Sequence, residues 1–268
     1  MSNEGMTRTS PTRATAGDGH TNDADEANKR PSMPQRLIWG MVLVWPVAVV
    51  ASLVWNVLQV KQNTLETARI QARVAYDKDI IYRRWNAEYG GVYVLVSEGT
   101  QPNPNLSDTA ERDITTPSGK QLTLINPAYM TRQVHELAKK EFGVHGHITS
   151  LIPIRSENSA DPWETEALRA FELGETEISS VEAMQGREYM RLMRPLLTEK
   201  GCLACHARQG YQEGEIRGGI SVSIPMDPLR SVGRKQMFAL IMGHGLLWLM
   251  GLVVIISGEH RRRRSKRR

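Results

Sequence analysis

Two uninterrupted apolar runs constrain this chain more than any other feature of its sequence. Residues 37–60 read LIWGMVLVWPVAVVASLVWNVLQV and residues 237–257 read MFALIMGHGLLWLMGLVVIIS. Each is long enough to cross a bilayer, which takes about 20 helical residues. The core helix of a soluble domain rarely runs so far without a charge. The first run does not read as a cleaved signal peptide. The polar segment before it is too long, the apolar stretch exceeds an h-region, and no small-x-small cleavage site follows. Two transmembrane helices are therefore expected, at 37–60 and 237–257, with residues 61–236 between them. His244 is the one strongly polar member of the second run. It is expected to face a partner helix or a second chain rather than lipid.

Basic residues set the orientation. Arg261, Arg262, Arg263, Arg264, Lys266, Arg267 and Arg268 follow the second run, and only Arg230, Arg234 and Lys235 precede it closely. The first run is evenly flanked, by Lys29, Arg30 and Arg36 on one side and Lys61, Arg69 and Arg73 on the other. The C-terminal cluster decides. Both termini are expected in the cytoplasm and residues 61–236 in the periplasm, as in a two-pass protein of a bacterial inner membrane. The cluster reads as a stop-transfer anchor that also binds anionic lipid. Nucleic acid is not an expected partner, because the formal net charge of +5 is largely this tail. Residues 1–36 are rich in Ser, Thr, Asn, Asp, Gly and Pro, and are expected to be a disordered cytoplasmic tail. Residues 258–268 are expected to form a basic cytoplasmic one.

The middle segment carries mixed patterns and is long enough for one domain with its own core. Residues 62–84 are helix-compatible and are expected to continue the first span outward. Gly91-Val92-Tyr93-Val94-Leu95-Val96 reads as a strand. Asn126-Pro127 and Asp161-Pro162 each read as a helix start, with an N-cap followed by proline in the first turn. Strands are expected at 147–154, 177–182, 187–196 and 218–225, the last alternating apolar and polar as a half-buried strand does. Met226-Asp227-Pro228 reads as a turn toward the second span. The expected class is α+β.

Cys202-Leu203-Ala204-Cys205-His206 uses the only two cysteines of the chain. The spacing is that of a c-type haem attachment site. Each thiol takes up one vinyl group of a porphyrin, and the following histidine is held under the ring to bind iron. A structural zinc site would ask for further ligands, often a second cysteine pair. A thioredoxin-like dithiol would ask for a βαβ context, and a plain disulfide would not need His206. Covalent haem attachment also agrees with an exported domain.

Ordered motifs surround that site: Arg84-Trp85-Asn86, Gly90-Gly91-Val92-Tyr93, Asn126-Pro127-Ala128-Tyr129-Met130-Thr131-Arg132, Ser150-Leu151-Ile152-Pro153, Asp161-Pro162-Trp163-Glu164 and Gly218-Gly219-Ile220-Ser221. Together with the Cys202 to His206 motif they resemble the Tll-type periplasmic c-haem PAS-like sensor family, a domain of unknown function often found at the sensor end of histidine kinases. The resemblance covers about residues 62–230. It implies a PAS-like antiparallel sheet with flanking helices, holding one covalent haem on Cys202, Cys205 and His206, with a redox or ligand-sensing role. No HAMP, kinase, cyclase or chemoreceptor module follows the second span, so output is expected to pass to a separate protein.

The opposite face of the iron is open to several residues. Met130, His135, His145, His147, Met184, Met190 and Met193 are the candidates, of which Met130, His145 and His147 are carried forward. Each has a plainer reading. Met130 shares a helical face with Val134 and Leu137, as a core residue does. His135 sits in a charged helix and is expected to be exposed. His145 and His147 alternate along a strand face expected to be solvated. Arg84 and Arg132, and after them Arg83 and Arg155, are candidates for the haem propionates, since guanidinium pairs well with carboxylate. Each of these could also be a surface arginine. Glu157, Asp161, Glu164 and Glu166 flank a helix start, where acids favour the macrodipole, and are not read as a catalytic pair.

No nucleotide-binding loop, G-x-S-x-G elbow or HExxH is present. Three functions remain: a membrane-anchored haem sensor acting through a separate partner, which is preferred; a periplasmic electron carrier; and a haem enzyme with an open sixth site. The preferred reading is not an enzyme. Assembly as a homodimer through the helices is compatible with the sequence, although no sustained heptad marks it.

Overall fold

The computed structural model describes residues 35–153, 155–200, 203 and 210–267. Cys202, Cys205 and His206 lie outside the described residues, as does almost all of the expected N-terminal tail. The described residues divide into two compact units, 35–50 with 245–267, and 51–244. Helix α1, Gln35–Glu88, and helix α4, Met226–Arg267, contribute to both. Each is long and apolar enough to cross a membrane.

Within the first unit Trp45 packs on Gly251 so closely that a Cβ there would collide with the indole. Leu43, Val44, Val47, Leu246, Val253 and Val254 are each more than half exposed. A surface this apolar fits acyl chains rather than water.

In the second unit α1 continues without a break to Glu88, as the sequence leads one to expect. His244 Nδ1 donates to the Leu240 carbonyl at 2.8 Å, and its Nε2 lies 3.2 Å from Ser52 Oγ on α1. The histidine faces a partner helix of its own chain.

The globular part is α+β, with antiparallel sheets flanked by helices and bracketed by the two long apolar helices. Its strands form two sheets. The first holds β1 (Val92–Leu95), β2 (Asp113–Thr115) and β3 (Gln121–Ile125) in the order β1-β3-β2. The second holds β4 (His145–Thr149), β5 (Ile178–Met184), β6 (Arg187–Leu197) and β7 (Ile216–Pro225) in the order β4-β7-β6-β5. Helix α2 is Pro127–Phe142 and helix α3 is Pro162–Glu172. Short 3-10 turns lie at Pro104–Leu106 and Ser156–Asn158.

Both helix starts form as their sequences dictate. Asn126 Oδ1 accepts from the Tyr129 amide at 2.9 Å, with Pro127 at the first position. Asp161 and Glu164 form a reciprocal capping box at the head of α3. Helix α2 ends at Gly143, whose φ of 68° is the left-handed cap that favours glycine.

Two expectations are corrected, and two strands were not expected. The strand expected at 147–154 is β4, displaced toward the N-terminus, because bends replace it after Thr149. The turn expected at Met226-Asp227-Pro228 is the first turn of α4; Asp227 is an acid in that turn, and proline at this place costs no helical bond. Strands β2 and β3 went unread. Their signal is the turn Thr116-Pro117-Ser118-Gly119, where the Gly119 amide donates to the Thr116 carbonyl at 2.9 Å.

Helix α1 covers one face of the second sheet. Ala68, Ala72 and Tyr76, spaced four apart, meet Met190, Leu192, Leu196, Ile220, Val222 and Ile224. The alanines let the helix lie close to the strands. Tyr76 Oη donates to the Pro195 carbonyl at 2.8 Å. Glu177 joins Arg73 of α1 and Arg194 of β6, both at 2.8 Å. On the other face α3 buries Ala167, Leu168 and Phe171 against Met193.

Candidate functional site

Strand alternation builds the site. In β7, Ile220, Val222 and Ile224 turn to α1, so Ser221 and Ser223 turn to the opposite face. The register places His147 beside Ser221, and both His145 and Arg191 beside Ser223. That face is not solvated, as the polar alternation implied. Ser221, Ser223 and Arg191 are buried. They line a cavity of about 710 Å³ that also takes in Tyr129, Arg132, His145, His147, Glu164 and Met184. The volume falls within the usual range for a ligand site.

Glu164 is the hub of this wall and is only 1% exposed. Beyond its capping role it accepts from Ser221 Oγ and from His147 Nδ1, the latter at 3.0 Å, and it lies 3.3 Å from Arg191. Arg191 also pairs with Asp161 at 2.8 Å and stacks over the Trp163 ring at 4.3 Å. Burial opposes ionisation of Glu164, but the hydrogen bonds from His147 and Ser221 outweigh it and hold the carboxyl below the usual range. The bond to Glu164 in turn raises His147, whose Nε2 donates to the Glu157 carbonyl at 3.1 Å. An acceptor at each nitrogen favours the doubly protonated ring.

The candidates for the far side of the iron separate accordingly. His147 has no free ring nitrogen in this arrangement. Met130 does not line the cavity. It sits with Ile81, Tyr82 and Trp85 in a separate apolar groove, and its expected core neighbour Leu137 is 60% exposed. His135 is not exposed; Nε2 meets Asp79 at 2.7 Å with both side chains only 11% exposed. Met190 and Met193 are core residues, whereas Met184 reaches the cavity. His145 lines it too, its ring tilted against Tyr189 at 5.2 Å. Burial lowers the pKa of His145, helped by Lys139 and Arg191, and so favours the neutral imidazole that a metal ligand must be.

The arginines also divide. Arg84 is bound to Glu199 at 2.8 Å on the surface and takes no part in the cavity wall. Arg132 does line the cavity and lies over the Tyr129 ring at 4.3 Å. Arg155 lines it, paired with Glu157 at 3.1 Å, and Arg83 donates to the Pro127 carbonyl. Glu164 and Arg191 were missed as site residues. The capping box made Glu164 legible only as a helix signal, and Arg191 lay unremarked in an expected strand.

The segment bearing the two cysteines leaves and rejoins the sheet beside this cavity. Leu197 pairs with Ile216 at the end of the β6–β7 ladder, and the Thr198 amide donates to the Glu215 carbonyl at 2.8 Å. Leu196 and Arg217, which flank the segment, and Tyr211 within it all line the cavity. Among the described residues no three His, Cys, Asp or Glu side chains converge as a site for a bare metal ion.

The family model Tll0287-like, described as Tll0287, matches residues 60–225. Among solved structures, the crystal structure of the cyanobacterial heme-protein Tll0287 is similar at 16% identity with a TM-score of 0.38, over 58% of this chain and 92% of that one. No curated protein matches. The family match takes in every strand of both sheets, helices α2 and α3, and the paired ends of the cysteine-bearing segment. It spans more than half of the sequence, and the chain belongs to the Tll0287-like family.

Proposed function

We propose that this protein is a membrane-anchored, single-haem c protein that senses redox state or a small ligand. In this reading Cys202 and Cys205 tether the haem and His206 binds its iron, and the domain stands in the periplasm with both termini in the cytoplasm. The observation that carries it is the seating of the cysteine-bearing segment: its ends, Leu197 paired with Ile216, lie next to Leu196 and Arg217 of a cavity lined by imidazole, guanidinium and thioether together. The wall suits the group. Arg132 offers a guanidinium for a propionate, and His145 offers a neutral imidazole on the side wall. The family to which the chain belongs shares its name with the heme-protein Tll0287, and that family membership supports the same cofactor. When bound, the haem supplies one-electron chemistry and an iron that takes small axial ligands.

Sensing rather than carriage is supported by the way β6 is tied to α1. The strand that leads into the motif is held to the helix by Tyr76 at Pro195, by Asp77 at Arg194, and by the Arg73–Glu177–Arg194 fork. A shift of β6 on a change in ligation therefore bears on the helix that enters the membrane. Output passes to a separate membrane or cytoplasmic partner, and the protein itself is not an enzyme. The test starts from haem retention in the denatured full-length protein. Covalent haem is expected, and it should be lost when Cys202→Ser and Cys205→Ser are combined in one variant; haem that extracts from the wild type would sink the reading. Spectra of both oxidation states, with and without carbon monoxide, follow. A ligand switch or tight gas binding fits a sensor. Unchanged six-coordinate iron in every state would leave a carrier instead.

A further inference from the structure

The basic run that ends α4 takes no part in the cavity. We propose that Arg261, Arg262, Arg263 and Arg264 form a collar that binds the phosphate headgroups of anionic phospholipids. The inference rests on α4 crossing a bilayer and is independent of the haem.

Depth is the first argument. The apolar run ends at Ser257, and α4 continues unbroken to Arg267. At about 1.5 Å per residue, Arg261 to Arg264 stand roughly 6 to 10 Å beyond it. The polar layer of one leaflet is about 5 to 8 Å thick, so the first two arginines stand within it and the next two just outside. Direction is the second argument. Side chains on a helix lean toward its N-terminus, and for these residues that is toward the bilayer. All four can lower their guanidinium groups into the phosphate layer along apolar stems.

The distribution around the helix gives the third argument. Successive residues step by about 100°, so the four arginines point to four sides. Arg261, Arg263 and Arg264 are exposed, and Arg262 is partly covered, with its Nη1 buried and unpartnered. Lipid surrounds a membrane helix on several sides, whereas a nucleic-acid groove meets one face. Glu259 is the only acid after the apolar run, and it takes a single bond from Arg263 at 3.1 Å. Arg261 and Arg264, both exposed, keep the forked donors that match phosphate.

The full-length protein, in nanodiscs of phosphatidylcholine with a minority of phosphatidylglycerol, tests this with spin-labelled lipids. The motionally restricted fraction should favour labelled phosphatidylglycerol over labelled phosphatidylcholine by at least about fivefold, the equivalent of one arginine at the surface. The preference should shrink as salt rises. It should vanish when all four positions carry Arg→Gln. Equal restriction of the two lipids by the wild type would overturn the proposal, and it needs no variant that must insert correctly. Selectivity that survives the fourfold substitution would overturn it as well.

Discussion

Substituting Glu164→Gln removes one charge from the cavity wall and almost no volume. Glutamine can still accept from the Asp161 amide and keep the capping box. It cannot also accept from both Ser221 and His147, because its second terminal atom is a donor. One hydrogen bond to a buried charge is worth about 1.5–3 kcal/mol, and breaking a buried ion pair from one side costs about 3–5 kcal/mol. Arg191 keeps Asp161 at 2.8 Å, so the cation is not stranded and the lower end applies. The expected loss is about 3 kcal/mol. For a domain of this size each kcal/mol lowers Tm by about 2–4 °C, so the full-length protein in detergent should melt roughly 6 to 12 °C earlier. His147→Ala should cost much less in the Glu164→Gln background than in the wild type, because the two residues share one interaction. A Tm within about 2 °C of the wild type would refute the role given to Glu164, and additive losses would refute the shared bond.

Gly146→Ala puts a Cβ into the His135 ring; overpacking of about 1–3 kcal/mol plus loss of the Asp79 bond should lower Tm clearly, and an unchanged melt would mean His135 is not seated there. Tyr76→Phe deletes the bond to the Pro195 carbonyl. Burial pushes that phenol up to about 12, so it donates throughout the accessible pH range, and the loss of about 1 kcal/mol should be independent of pH between 5 and 9. Glu177 is held below the usual carboxylate range, since hydrogen bonds from Arg73 and Arg194 outweigh its burial. Its stabilising effect is therefore full above the unfolded carboxyl value of about 4.5 and is lost as pH falls through the lower folded value. Glu177→Gln should separate from the wild type in melts near neutrality and converge on it in acid. A gap that widens in acid would contradict the assignment.

Local signals were legible where one physical cause acts alone. The two long apolar helices follow from length and hydropathy, and both capped helix starts follow from a side chain that can reach an orphan amide. The alternation of β7 was legible as a strand but not as a wall. Period two says which residues share a face; it does not say whether that face meets water or a lined cavity. Ser221 and Ser223 are buried because Glu164 and Arg191 arrive from α3 and β6, and sequence separation hides that meeting. His135 and Asp79 are 56 positions apart, so the helix charges around His135 implied exposure while its true partner lay on α1. Met130 failed in the opposite sense: its helical face is apolar, yet much of that face stays uncovered.

Strand β6 links the two legible ends of this molecule. On one face Arg191 meets Asp161 and Glu164 in the cavity wall, and on the other Arg194 meets Asp77 and Glu177 beside α1. A strand held by charge on both faces resists sliding along its neighbours, because any slip must break pairs on both sides together. It can still move as a body with α1, whose Tyr76 grips it at Pro195. The cysteine-bearing segment begins just beyond that grip. In the proposed sensing reading, displacement at the motif travels as a movement of β6 with the long apolar helix α1, rather than dissipating as local strand distortion.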